Sequence, residues 1–179
     1  KGDLDGNLAS HAAMLEQARV QGCQVAVFPE LSLTGSVDPR RHPERALTVD
    51  AEPVGALLEA TSRTGVAAVF GIAERAGPLF HIAQLYGHNG RLGGVYRKRH
   101  LGEGEEGYQP GHDTGVFQLG AARFGVALCA EGGVDFPWSD AVAGGASVVL
   151  FCSAPRLYGR RTDERGWRDG HAWWLSRGL

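Results

Sequence analysis

Apolar positions recur at helical spacing, then at strand spacing, through the first third of the chain. Leu4, Leu8, Ala12, Leu15 and Ala18 fall on one face of a helix over residues 3–21, and Gly22 suits its C-terminal cap. Residues 24–28 are a short apolar strand stopped by Pro29. Residues 38–50 are polar, carry two prolines and read as an excursion. A second helix is predicted over residues 53–64, with Pro53 in its first turn, Val54, Leu57, Leu58 and Thr61 inward, and Gly65 after it. Residues 66–70 are the next buried strand. Helix–strand–helix–strand is an α/β rhythm.

The rhythm then changes. Residues 79–86 and 91–98 are strand-like and flank His88, Asn89 and Gly90, and Asn-Gly between strands is a strong hairpin signal. Residues 116–119 and 123–129 form another pair around Gly120. Helix–strand units interleaved with hairpins imply mixed sheets. A short helix over 136–145 and a buried strand over 147–152 follow. Thr162 or Asp163 then caps a last helix with Trp167, His171 and Trp174 on one face, a spacing that reads as core. The chain opens on a helix without a preceding strand and stops in or just after a helix, so residues are expected to be missing at both ends.

Composition narrows the classes. The 179 residues suffice for one domain with a sizeable core. A formal net charge of -2 gives no reason to expect nucleic acid or an anionic membrane as partner. Three cysteines without a close pair argue against a disulfide framework and fit a reducing compartment, so a cytoplasmic location is expected. There is no CxxC or HExxH spacing, and no metal site or cofactor is expected. No apolar run approaches the length of a membrane span.

Three strand ends carry candidate chemistry. Phe124, Val126 and Leu128 alternate into Cys129, after which Ala130, Glu131, Gly132 and Gly133 turn the backbone. A thiol there is held on a rigid element at the sheet edge, where α/β folds place ligands. The turn frees N–H groups, such as that of Ala130, for a developing oxyanion. On its own, Cys129 reads first as a small buried hydrophobe, the commonest fate of a free cysteine. Glu30 ends the strand stopped by Pro29, although most glutamates in such turns are merely solvated. Lys98 closes the first hairpin within Tyr96-Arg97-Lys98-Arg99-His100-Leu101. The following Gly102–Gly107 run matches GxGxxG literally, but no helix follows and its three glutamates would repel a pyrophosphate. A carboxylate to take a thiol proton, a lysine to stabilise thiolate and oxyanion, and the thiol itself are a self-sufficient set for acyl transfer from an amide through a thioester.

At these residues the sequence resembles the nitrilase superfamily of carbon–nitrogen hydrolases, in three blocks that span almost the whole chain. Phe28-Pro29-Glu30-Leu31-Ser32-Leu33-Thr34-Gly35 resembles the general-base block. Tyr96 to Leu101 with Tyr108-Gln109-Pro110-Gly111 resembles the lysine block. Leu128-Cys129-Ala130-Glu131, with Gly145, Ala146 and the strand after them, resembles the nucleophile block. The resemblance implies a four-layer α-β-β-α sandwich with mixed sheets, a family domain longer than this chain, and a homodimer or higher homo-oligomer. It implies Glu30 as general base, Lys98 as stabiliser of the tetrahedral intermediate, Cys129 as nucleophile and the Ala130 N–H in the oxyanion hole, and Glu131, which matches the acidic residue two positions on, is expected beside Ala130 among the oxyanion or substrate-binding residues. The family often uses a second glutamate after the lysine, for which Glu105 is the first choice, ahead of Glu106 and Glu103. Phe136-Pro137 arrives late, as if two residues were inserted around Gly132 and Gly133.

Nitrile hydrolysers of the family typically carry tryptophan after the cysteine, where this chain has Ala130. The expected substrate is therefore a small-molecule amide or N-carbamoyl compound, with water as acceptor and ammonia as leaving group. Three other readings compete. One is a glutaminase-like domain that supplies ammonia to a synthetase. The second is a non-catalytic binding or assembly module, and the third a redox thiol paired with Cys152. Residues 102–108, 132–136 and 155–165 are expected to line the pocket. There Arg156, Arg160 and Arg161 could meet a substrate carboxylate or form a solvated basic loop.

Overall fold

The computed structural model describes residues 2–154 together with Glu164, Arg168, Asp169, Ala172 and Ser176. Thr162, Asp163, Trp167, His171, Trp174 and the arginines Arg156, Arg160 and Arg161 lie outside the described residues. The elements run α1 (Leu4–Val20), β1 (Val25–Val27), α2 (Glu52–Thr64), β2 (Ala67–Ala76), β3 (Leu79–His88), β4 (Arg91–Arg97), β5 (Val116–Leu119), β6 (Ala122–Leu128), α3 (Phe136–Ala143) and β7 (Val148–Cys152).

Local chemistry sets several boundaries. Asp3 caps α1 by accepting from the Gly6 N–H at 3.0 Å. Pro53 sits in the first turn of α2, and Gly65 ends it at φ 69°, donating to Thr61 O. Asn89 and Gly90, both at positive φ, close the two-residue β3–β4 hairpin between His88 and Arg91.

Two mixed sheets result. In the first, ordered β1-β2-β3-β4, β1 and β2 are parallel and the rest antiparallel. In the second, ordered β5-β6-β7, the β6–β7 pair is parallel. Strand alternation divides the core. Ala68, Phe70, Ile72, Ala83 and Leu85 face Leu15 of α1 and Val54 and Leu57 of α2. Val69, Ala73, Ile82, Tyr86 and Tyr96 face the other way, against Phe124, Val126, Leu128 and Cys152 of the second sheet. On the far side of that sheet, α3 lies so close to β6 that a Cβ on Gly125 would sit 2.7 Å from Ala141 Cβ. The layers are therefore α-β-β-α, and each fully buried large aliphatic or aromatic side chain contributes about 1.5–3 kcal/mol.

β2 runs six residues beyond the expected 66–70 strand. Glu74 and Arg75 look like a polar stop, yet Glu74 is almost wholly buried because Arg97 of β4 donates to both its oxygens at 2.6 Å. The excursion over residues 38–50 comes back beside this extension: Leu47 N donates to Ala73 O at 2.9 Å and Arg75 N to Leu47 O at 2.8 Å.

Candidate active site

Glu30 is placed by a turn clamped onto β2. The Phe28 N–H still donates to Val69 O at 2.8 Å, and Gln84 Nε2 holds Phe28 O at 3.0 Å. The chain then turns through Leu31 at φ 56° and closes with Gly35 N donating to Leu31 O at 2.7 Å. Leu33 N donates to Gly71 O (2.9 Å), while Ser32 Oγ and Thr34 Oγ1 accept from Gly71 N (3.1 Å) and Ala73 N (2.9 Å). The turn lies so flat on the strand that a Cβ on Gly71 would sit 2.2 Å from Leu31 N and 2.9 Å from the Glu30 carbonyl carbon. From outside, α1 holds the same turn: Asn7 Nδ2 donates to Leu33 O at 2.9 Å, and His11 Nε2 meets Ser32 Oγ at 3.0 Å.

Lys98 follows β4. Its N–H donates to Ile82 O and its carbonyl accepts from Gly111 N, both at 2.8 Å, so the backbone is fixed on both sides. Its side chain is wholly buried, and Nζ donates to Glu30 Oε1 at 2.8 Å and to Glu105 Oε1 at 2.7 Å. Glu105 Oε2 in turn accepts from Gly102 N at 2.6 Å. Tyr108 N donates to Glu105 O, and the Tyr108 hydroxyl donates to Val37 O at 2.6 Å, so this loop is tied to the Glu30 side of the site. Glu106 is exposed and accepts from Gly104 N, and Glu103 is exposed. Of the three glutamates, Glu105 is the one on Lys98.

Cys129 begins a 3-10 turn, Cys129–Gly133, at the end of β6. Its φ of 37° lies in a region that costs a non-glycine residue strain and that clusters at functional sites. The first N–H groups of such a turn, here those of Cys129 and Ala130, have no acceptor within it. Ala130 faces the base of the Glu105 loop, where a Cβ on Gly102 would lie 3.2 Å from Ala130 Cβ.

Glu131 is placed differently from its neighbours. It is fully buried, and both oxygens are taken by protein donors. Oε1 accepts from Tyr96 Oη (2.8 Å), Arg99 N (2.7 Å) and His100 N (3.2 Å), and Oε2 from Leu128 N (2.8 Å). It joins the segment after Lys98 to the strand end before Cys129. A glutamate three positions into a turn, reaching back to the N–H that precedes it, is half of a capping box, the one sequence signal for this role.

The site's electrostatics are set by burial and mutual contact. Burial raises the Glu30 carboxyl above the ordinary value, although Lys98 pulls it down. Burial alone would lower Lys98, but Glu30 and Glu105 outweigh it and hold the ammonium above the ordinary lysine value. The Cys129 thiol lies against Glu30, and burial followed by the Glu30 charge raises it, so it rests protonated. Cys152 is pushed up to about 12, first by burial. A protonated thiol thus faces a carboxylate whose second neighbour is an ammonium. That arrangement can move a proton off sulfur and stabilise negative charge on a bound carbonyl oxygen. Among the described residues, no group of three or more His, Cys, Asp or Glu is arranged to hold a metal ion.

The four-layer fold and this thiol–carboxylate–ammonium cluster define a recognisable class. The carbon–nitrogen hydrolase family model matches residues 1–176, and the chain belongs to that family. It is 34% identical over 131 residues to a nitrilase of Pyrococcus abyssi, covering 70% of this chain and 50% of that protein. It is 30% identical over 155 residues to a glutamine-dependent NAD(+) synthetase of Xylella fastidiosa, covering 79% of this chain and 27% of that protein. Among solved structures, a cysteine-to-alanine mutant of the Nesterenkonia AN1 amidase from the nitrilase superfamily superposes with a TM-score of 0.77 at 24% identity. That match covers 90% of this chain and 63% of the amidase chain. The chain therefore spans half or less of the two curated relatives. No helix among the described residues is long and apolar enough to cross a membrane.

Proposed function

We propose that the protein hydrolyses a non-peptide carbon–nitrogen bond of a small-molecule amide or N-carbamoyl compound through a thioester on Cys129. The observation that carries this reading is the buried Lys98 held between Glu30 and Glu105, with the Cys129 thiol against Glu30. Glu30 takes the thiol proton as sulfur attacks the carbonyl carbon. Lys98 and the Ala130 N–H stabilise the oxyanion. The tetrahedral intermediate collapses, the carbon–nitrogen bond breaks, and Glu30 delivers its proton to the leaving amine. Water then gives a proton to Glu30 and attacks the thioester, and collapse releases the acid and returns the thiol. Glu105 fixes the ammonium from its other side. Glu131, saturated by four protein donors, positions Lys98 and Cys129 rather than binding substrate.

Amide rather than nitrile is supported by Ala130. A Cβ on Gly102 would lie only 3.2 Å from the Ala130 methyl, so the Glu105 loop passes close to this position and favours a small residue there. A second reading is favoured by the synthetase match: a domain that releases ammonia from glutamine for a synthetase. By family resemblance the protein is proposed to assemble as a homodimer or higher homo-oligomer.

Ammonia release by the full-length protein is measured against small amides, glutamine, N-carbamoyl compounds and nitriles, beside Cys129→Ala. Release from simple amides or N-carbamoyl compounds, lost in the variant, is expected. Release confined to glutamine supports the second reading. Turnover by Cys129→Ala equal to wild type overturns both.

A further inference from the structure

The catalytic set described above leaves one polar group beside the sulfur unused. β6 and β7 are parallel, and their register pairs Leu128 with Cys152. The next residue on each strand end is Cys129 on one and Ser153 on the other. Both therefore emerge together at the C-terminal edge of the second sheet, where open α/β sheets place reacting groups. Cys152 itself lies in the core between the sheets and directs its thiol to Leu150 O, so the position beside Cys129 falls to Ser153.

The Ser153 hydroxyl is buried and has no hydrogen-bond partner among the described residues. Such a group costs free energy unless some state of the protein gives it an acceptor. A neutral thiol is a poor acceptor, whereas a thiolate is a strong one. The resting site thus holds a donor whose partner forms only when Cys129 loses its proton.

We propose that Ser153 is a further catalytic residue, donating a hydrogen bond to the Cys129 sulfur when Glu30 takes the thiol proton. Ser153 keeps its own proton throughout; no bond to it forms or breaks. The role rests on Cys129 being the nucleophile. Burial and the Glu30 charge both hold the thiol protonated, and the Ser153 hydroxyl opposes them, followed by Lys98. The hydroxyl therefore favours the thiolate at the step where the two larger influences resist it. It adds a dipole without adding a charge to a site that already holds one ammonium and two carboxylates.

The test uses the full-length protein with Cys23→Ser, which removes the exposed thiol. Iodoacetamide alkylation of Cys129 is followed against pH by mass spectrometry of its peptide, in wild-type Ser153, Ser153→Ala and Ser153→Thr. Ser153→Ala is expected to move the profile to higher pH and to slow alkylation about tenfold at a pH below the midpoint, the scale of a lost charge-assisted hydrogen bond. Ser153→Thr, which keeps the hydroxyl, is expected to restore most of the rate. Ammonia release by Ser153→Ala should fall in kcat with KM nearly unchanged. A reactive Cys129 whose profile is identical in Ser153→Ala would overturn the role of Ser153 alone. A Cys129 no more reactive than a free cysteine, in a protein that releases no ammonia, would overturn the hydrolase reading and the role with it.

Discussion

Lys98 and Glu30, 68 residues apart in sequence, meet at 2.8 Å in the interior, where the lysine side chain has no exposure and the glutamate almost none. The contact joins the end of β4 to the turn after β1, on opposite edges of one sheet. The Glu30 charge leans on this ammonium, which Lys98 shares with Glu105.

Lys98→Met is therefore expected to do more than stop turnover. It leaves Glu30 and Glu105 facing each other without a countercharge, and breaking a buried pair in this way costs about 3–5 kcal/mol. Denaturant unfolding checks the loss. A stability within about 1 kcal/mol of wild type would mean that the carboxylates are relieved by another group.

Two pH dependences follow from this buried cluster, and both lower stability as pH rises. Glu30 is raised in the folded protein, so the folded state binds this proton more tightly than the unfolded chain. Its ionisation lowers stability as pH rises from the ordinary glutamate value to the raised one. As the general base must be ionised, the acid limb of kcat should have its midpoint above the ordinary glutamate value. Lys98 is also raised, and its stabilisation is complete below the ordinary lysine value and is lost as pH rises through the higher folded value. Thermal melts at alkaline pH should show that loss in wild type and not in Lys98→Met.

Glu131→Ala strips the acceptor from four donors at once, among them the backbone N–H groups of Arg99, His100 and Leu128. A cost of about 3 kcal/mol or more is expected, since each unsatisfied buried donor costs about 1–3 kcal/mol. Thermal denaturation checks this, together with slowed alkylation of Cys129. A variant of unchanged stability would show that Glu131 is not a strut.

How far the sequence discloses this site depends on what kind of signal each part leaves. Apolar runs ending in Glu30, Lys98 and Cys129, the Asn89-Gly90 turn and Gly65 after α2 are local signals. They locate α1, α2, most of the described strands and the three residues of the buried cluster. The extension of β2 leaves no such trace, because Glu74 is polar in sequence and becomes internal only through Arg97, 23 residues away. Which of Glu103, Glu105 and Glu106 reaches Lys98 is a matter of distance, which composition does not encode. The saturation of Glu131 depends on bringing the end of β4 to the end of β6, and the placing of Ser153 beside Cys129 on the β6–β7 register, both of which appear only when the sheets are assembled.

Gly71→Ala tests the clamp beneath Glu30. Its methyl would sit 2.2 Å from Leu31 N, so the turn must lift, at an expected cost of about 1–3 kcal/mol and with a fall in kcat. Gly65→Ala is the control. At φ 69° with nothing within 4 Å, it should cost about 1 kcal/mol of backbone strain and leave kcat alone. Melting curves and turnover of the two variants check the contrast; equal effects on kcat would contradict it.

The proposed mechanism turns on a covalent acyl-enzyme at Cys129. It is tested most directly by rapid acid quench of the full-length protein during turnover of an amide that releases ammonia, followed by mass spectrometry. An acyl adduct on the Cys129 peptide, removed by hydroxylamine and missing from Cys129→Ala, is the predicted result. Ammonia release with no adduct, retained in Cys129→Ala, would contradict the account.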